Sequence, residues 1–184
     1  MPGSKGEQKA REAVYVRQIG RFTVRLMDEA DAREIQGWRY EGPYAIYNMD
    51  GDGDEGIAEM LDHRSPYYAV RDERGELVGH FAYGTTAEVE GAGEPRLYGA
   101  NRVLAIGLGL RPDLTGRGLG LEFVSACLAF ARETFAPSAF HLFVLAFNER
   151  AIRVYERAGF WRARIVRVRN VHGERDFLEM RREV

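Results

Sequence analysis

The chain has 184 residues, 45% hydrophobic and 29% charged, which suits one globular domain with a sizeable core and does not suit a disordered chain. Its formal net charge is −2, so it lacks the basic excess of a nucleic-acid-binding domain, and no apolar run reaches the length of a membrane span. The one cysteine, Cys127, can neither close an internal disulfide nor anchor a metal site and reads as a small buried hydrophobe.

Residues 1–20 open with MPGSKGEQKAREAV, which has no hydrophobic signal core, and read as a polar, mobile lead-in to a single domain over 21–184. With no disulfide pair and no targeting segment, the expected location is the cytoplasm. Phe22 to Arg25 reads as a short strand, and Glu29 to Gly37 as a helix entered through Asp28 as its cap. The segment WRYEGPYAIYNMDGDGDEG mixes aromatic, glycine and acidic residues without a period and reads as loop and broken helix. After the Ser65-Pro66 break, Tyr67 to Arg71 and Leu77 to Gly84 read as a hairpin turned at Asp72 to Gly75. Thr85 to Arg96 is turn-rich and acidic, and Val103 to Leu110 is a continuous apolar run fit for a buried central strand.

A glycine-rich turn then leads into a helix from about Arg117 to Thr134, with Leu121, Val124, Leu128, Ala131 and Phe135 spaced by three and four. Phe140 to Phe147 is another apolar strand, and Asn148 opens a helix that Gly159 stops. Phe160 to Val168 and Phe177 to Arg182 read as two closing strands joined through His172-Gly173. Their interleaved arginines (Arg162, Arg164, Arg167, Arg169, Arg181 and Arg182) read as a solvent face. The order of elements gives a mixed α/β domain with one crossover unit near the middle.

The stretch from Leu108 to Val124, LGLRPDLTGRGLGLEFV, runs a buried strand through Gly116, Gly118 and Gly120 directly into a helix. A helix start carries unpaired N–H groups and the positive end of the dipole, and glycines let an anion approach the main chain. Arg117 adds a formal charge, so a phosphate or pyrophosphate is the natural guest; a tight turn with no ligand is the alternative. A P-loop is excluded because no Gly-Lys-Ser/Thr follows, and a dinucleotide fingerprint because Leu121 or Phe123 stands where the third glycine is needed.

On these residues the chain resembles the GNAT acetyltransferase superfamily, whose signature Q/R-x-x-G-x-G/A lies between a central strand and the next helix. Here it is Thr115-Gly116-Arg117-Gly118-Leu119-Gly120, with Thr115 in place of the long polar first residue. A second match is AFNERAIRVYERAGF, Ala146 to Phe160, in which Asn148 and Tyr155 share a helix face. The resemblance is firm over Val103 to Phe160, and the order of elements extends it back to Phe22. It implies a mixed, mostly antiparallel central sheet flanked by helices. It also implies acetyl-CoA as cofactor, held by the main chain at Leu108 and Leu110, by the turn from Thr115 to Gly120, and by Asn148. Read without the resemblance, Asn148 is a helix cap and Tyr155 a core aromatic.

The implied reaction is direct attack of a neutral amine on the thioester. An alkylammonium, with a pKa of about 10, must lose a proton first. N–H groups near Leu108 to Leu110 would stabilise the oxyanion, and Tyr155 would protonate the leaving thiolate. No single base stands out: His80, Glu88, Glu41 and Asp50 are candidates, each with a structural role as the alternative. Trp38, Tyr40, Tyr44 and Tyr47, followed by Asp50, Asp52, Asp54 and Glu55, suit a cationic acceptor or simply a solvated acidic loop beside core aromatics. A calcium loop is excluded, since Glu55 holds its glycine position and Leu61 its final glutamate position. The acceptor set therefore comprises Trp38, Tyr40, Tyr44, His80 and Glu88, with no metal and with a monomer or homodimer expected. The acceptor itself is left open among a protein N-terminus, a small amine and an amino-sugar antibiotic. A non-catalytic acyl-CoA-binding sensor on the same fold is the second hypothesis.

Overall fold

The computed structural model describes residues 16–49, 53–92, 102–170 and 173–184. Strands β1 (Arg17–Ile19) and β2 (Phe22–Leu26) form a hairpin turned by Gly20, whose φ of +59° glycine adopts without a Cβ penalty. The last residues of the polar lead-in thus supply an edge strand, anchored because Ile19 is buried beside Phe22 and Val24.

Helix α1 (Glu29–Gln36) starts where the sequence places it. The Asp28 carboxylate accepts from the Asp31 N–H at 2.9 Å, and the Asp31 carboxylate accepts from the Asp28 N–H at 3.3 Å. Asp31 is fully buried, and its two oxygens also meet Arg25 at 2.7 Å and Arg71 at 2.6 Å. One carboxylate therefore closes the helix start and ties it to two strands, with its charge matched by two guanidiniums. A 3-10 segment, Gly42–Tyr47, and a helix α2 (Gly53–Met60) follow. The sequence reading treats α2 as broken helix because of its glycines and its lack of a clear period. The helix is held by packing instead, with Ile57 and Met60 buried against Ile35 and Trp38.

Strands β3 (Tyr67–Arg71) and β4 (Leu77–Tyr83) form the expected hairpin, whose turn is fastened by the Asp72 carboxylate accepting from the Arg74 and Glu76 N–H groups. Strand β5 (Val103–Leu110), helix α3 (Gly120–Phe135), strand β6 (Ala139–Leu145) and helix α4 (Glu149–Arg157) make the crossover unit. Strands β7 (Trp161–Asn170) and β8 (Gly173–Glu183) close the chain, longer than their apolar runs suggest. Arg167 pairs with Asp176, Arg169 with Glu174 and Arg162 with Glu156 at the surface, but Arg164 and Arg181 both reach the buried Glu179, so the six arginines are not one solvent face. Asp50, Asp52 and His172 lie outside the described residues.

The eight strands run in the order β1-β2-β3-β4-β5-β6-β8-β7, antiparallel except for β5 with β6. On one face α3 and α4 bury Phe123, Leu128, Phe130 and Ile152 against the sheet; on the other α1 and α2 cover Tyr67, Ala69 and Ala82. The mixed, mostly antiparallel sheet flanked by helices is the architecture the sequence implies.

The parallel pair joins only Val103–Ala105 to Ala139–His141. Beyond these residues β5 stays with β4, β6 stays with β8, and the two strands diverge. The Arg111 N–H donates to the Val78 carbonyl at 2.8 Å, which fixes the phase of the β4–β5 ladder. Given His80 opposite Gly109 and Ala82 opposite Gly107, those two glycines bond β4. Ile106, Leu108 and Leu110 therefore turn their main-chain groups to the open edge, while their side chains join the core under α3.

Gly79 lies where β4, β5 and α3 meet. A Cβ there would stand 2.2 Å from the Phe123 ring and 2.6 Å from the Gly109 carbonyl, and Phe123 is held between Phe81 and Phe22. At Gly107 a Cβ would meet its neighbours at an ordinary 3.5 Å. Chemical denaturation should therefore show Gly79→Ala losing about 2–3 kcal/mol and Gly107→Ala losing under about 1 kcal/mol; equal losses would refute this account of the contact.

Candidate functional site

The divergence of β5 and β6 opens a cavity of about 480 Å³, walled by both strands, by the start of α3, by α4 and by the segment from Trp38 to Met49. On the α3 side the glycine turn is a turn and not helix. Gly116 at φ +75° and Gly118 at φ +84° are left-handed, so α3 begins at Gly120 and not near Arg117. Both glycines face open space, and the N-cap residue Leu119 offers no side-chain hydrogen bond to the first N–H groups of the helix. A sixteen-residue helix thus points uncapped donors over a bare main chain into the cavity. Thr115 lines the wall, but its hydroxyl donates to the Pro112 carbonyl at 2.7 Å. Arg117 is exposed at the turn and leaves the wall to the main chain. Gly120 lets α3 approach α4, since a Cβ there would press on Val154 at 3.1 Å.

Asn148 caps α4 by accepting from the Ala151 N–H at 3.1 Å, and its amide also donates to the Tyr47 hydroxyl at 3.0 Å. Tyr155, two turns on, lines the cavity with its ring edge against Phe160. Its hydroxyl makes no hydrogen bond to any described residue, and burial pushes its pKa above that of an ordinary phenol. It stays protonated and has a proton to give.

Aromatic residues line the α1 side. The Tyr40 hydroxyl donates to the Leu110 carbonyl at 2.9 Å, on the open edge of β5, and Tyr40 meets Tyr47 edge to face. A strap from Trp38 to Met49 is thereby fastened to the β5 arm by Tyr40 and to the β6 arm by Tyr47. Tyr44 stands outside the wall, under the Arg150 guanidinium at 4.3 Å and beside Phe147. His80 lies over Gly109, where a Cβ would come within 2.3 Å of its ring, and it packs between Trp38 and Tyr67. Its Nδ1 is buried with no partner among the described residues, and desolvation lowers its pKa to about 4.

The structure thus brings together Trp38, Tyr40, His80, Leu108, Leu110, Thr115, Gly116, Gly118, Gly120, Asn148 and Tyr155 around one cavity, with Arg117 and Leu119 at its edge. Glu88 is elsewhere. It lies 2.9 Å from His141 Nε2, and Glu179 stands 3.8 Å from the other ring nitrogen. Glu41 is exposed and outside the wall, so no carboxylate lines the cavity among the described residues. Arg150, Phe143 and Phe177 also line it, and the sequence reading passes over them. The one signal for Phe143 was its place out of phase with Leu142 and Val144 on β6.

Residues 27–160 match the model of a family described as Acetyltransferase (GNAT) family. A mycothiol acetyltransferase of Propionibacterium freudenreichii is 37% identical over 91 residues, which is 50% of this chain and 26% of that protein; the chain spans about a quarter of the relative's length. Among solved structures, an acetyltransferase (GNAT family) from Bacillus anthracis superposes with a TM-score of 0.69 at 14% identity, covering 91% of this chain and 98% of that one. A dodecameric spermidine N-acetyltransferase from Vibrio cholerae gives 0.62 at 18% identity, covering 89% and 94%. At these identities the structural likeness establishes the fold.

The burial of neutral His80 sets a pH dependence. Its pKa is about 4 folded, against 6.5 in its ordinary state, so between these values the unfolded chain binds the proton and the folded one does not. Its contribution is complete above pH 6.5 and is lost as pH falls towards 4, by up to about 3 kcal/mol. Denaturant titrations should show wild type losing more stability across that window than His80→Gln; parallel curves would refute it.

Proposed function

The chain belongs to the acetyltransferase (GNAT) family, and from that premise we propose that it transfers the acetyl group of acetyl-CoA to a primary amine. One observation carries the reading: the divergence of β5 and β6 sets the inner main-chain edge of β5, an uncapped helix start and a phenol with no hydrogen-bond partner among the described residues around one cavity. The bare main chain at Gly116 and Gly118, the donors of α3 and the nearby charge of Arg117 fit a pyrophosphate. The open edge at Leu108 and Leu110 fits an amide-bearing arm laid along β5 as an added strand, and Asn148 holds the far side. Acetyl-CoA supplies an activated thioester carbonyl.

The chain's own residues do the rest. An N–H on the open edge of β5 can donate to a carbonyl oxygen as it gains negative charge. Tyr155, protonated and without a hydrogen-bond partner among the described residues, gives its proton to the leaving thiolate, and the phenolate left behind takes the proton that the attacking nitrogen must lose to become an amide. His80 presents a neutral nitrogen from the opposite side. With a pKa of about 4 it is far too weak to strip an alkylammonium of pKa about 10. It acts as a hydrogen-bond acceptor that orients the amine, and the amine sheds its proton to water before it reacts.

Titration calorimetry should show selective, micromolar binding of acetyl-CoA against NAD and ATP controls, and Tyr155→Phe should keep that binding while losing about 10²-fold or more in kcat. Full activity in that variant removes Tyr155 from the mechanism, and no binding by folded protein overturns the reading. In wild type kcat/KM should rise with pH up to the pKa of the acceptor itself, with no inflection between about 5 and 8. An inflection near 6.5 would make His80, or another group, the base.

A further inference from the structure

The side of the cavity that faces α1 defines a class of acceptor. Strand phase separates the two sides. Leu142 and Val144 of β6 belong to the core under α3 and α4, so Phe143 points the other way, and Phe177 of β8 is likewise out of phase with Leu178 and Met180. With Trp38, Tyr40, Tyr47 and His80 they line the side of the cavity that β5 floors with Gly107 and Gly109. What an acceptor body would touch there is ring faces and edges, the aliphatic side chains of Ile35 and Met49, and bare main chain. Among the described residues none of the wall is a carboxylate.

The charge at the mouth points the same way. Arg150 is half-buried, lines the cavity and has no carboxylate partner among the described residues. Its guanidinium rests on Tyr44, near enough to Tyr40 and Tyr47 for its charge to act on both phenols. A ring wall can attract a cation, but here Arg150 already sits over Tyr44 just outside the wall and its charge reaches Tyr40 and Tyr47 within it. A second ammonium group on an acceptor would lose its water beside Arg150 with no carboxylate among the described residues of the wall to replace it.

Resting on the acetyltransferase reading above, we propose that the acceptor is a monoamine with an aromatic or similarly flat, apolar body, and that this wall excludes polyamines. The amine reaches past Gly109 to His80, and its body lies between Trp38 and Phe143. Fold likeness to a spermidine acetyltransferase does not carry the acceptor across, because acceptor choice resides in these side chains and not in the sheet.

The test compares kcat/KM at saturating acetyl-CoA for 2-phenylethylamine and tryptamine with that for spermidine and 1,4-diaminobutane. Acetyl-CoA binding is followed separately by calorimetry. The aryl monoamines should exceed both polyamines by about 100-fold or more. Phe143→Ala should cost the aryl monoamines about 10-fold and leave acetyl-CoA affinity within about twofold. Arg150→Glu should raise spermidine relative to phenylethylamine. A chain that binds acetyl-CoA yet turns over spermidine as well as the aryl amines, or turns over no aryl amine, overturns the acceptor class and leaves the cofactor assignment standing. A folded chain that binds no acetyl-CoA overturns both.

Discussion

The whole arrangement depends on a pairing that stops. β5 and β6 share a parallel ladder only as far as Ala105 and His141, then part. Main-chain groups along the rest of both strands are strong donors and acceptors that a buried site cannot leave unmet. The divergence is stable because each arm keeps an antiparallel partner on its outer side, β4 for one and β8 for the other, so only the inner edges are left unpaired. It is also held apart by side chains. Tyr40 takes the Leu110 carbonyl on one arm, Asn148 holds Tyr47 on the other, and the two tyrosines meet in between. A cavity with polar edges and apolar walls follows, and each assigned function is a way of using those edges.

Much of this is legible in the sequence, for stated reasons. Gly116 and Gly118 signal a turn because glycine tolerates the left-handed backbone they adopt, and Asn148 signals a helix start because its amide can cap one. The unbroken apolar run from Val103 to Leu110 signals a strand covered on both faces. Other features were hidden because they exist only through packing. Helix α2 has poor local propensity and is fixed by Ile57 and Met60 reaching a core assembled from distant segments. The sequence points to a start of α3 near Arg117, ahead of the observed Gly120, because composition cannot say which glycines will be left-handed. Glu88 is close to His80 in the chain, yet the turn after β4 carries it across to His141. Phe143 and Phe177 look like core residues until the strands diverge and leave one side open.

His80 and Gly109 show how sequence, packing and chemistry meet at one point. An imidazole over the middle of a buried strand needs space, and only a residue without a Cβ opposite it gives that space. Trp38 and Tyr67 then enclose the ring, and enclosure removes the water that would stabilise its charged form. The outcome is a nitrogen that remains an acceptor at every pH at which the fold is comfortable. A more basic group in that position would be charged much of the time, and its charge would repel an ammonium form of the amine and hold a proton the reaction does not want there.

The strap from Trp38 to Met49 links the two halves of the site through the same polar groups. Tyr40 bonds a carbonyl on the edge where an amide-bearing arm would lie, and Tyr47 bonds the side chain that also caps α4. A ligand laid along β5 therefore competes with Tyr40 for Leu110, and a shift of Tyr40 moves the wall of the opposite side. Thermodynamic linkage makes that relation reciprocal: whatever one ligand does to the affinity of the other through the strap, the other must do in return. The two sides of the cavity are thus distinct in chemistry, helix donors and the Gly116–Gly118 turn on one and rings on the other, but they are not independent in energy.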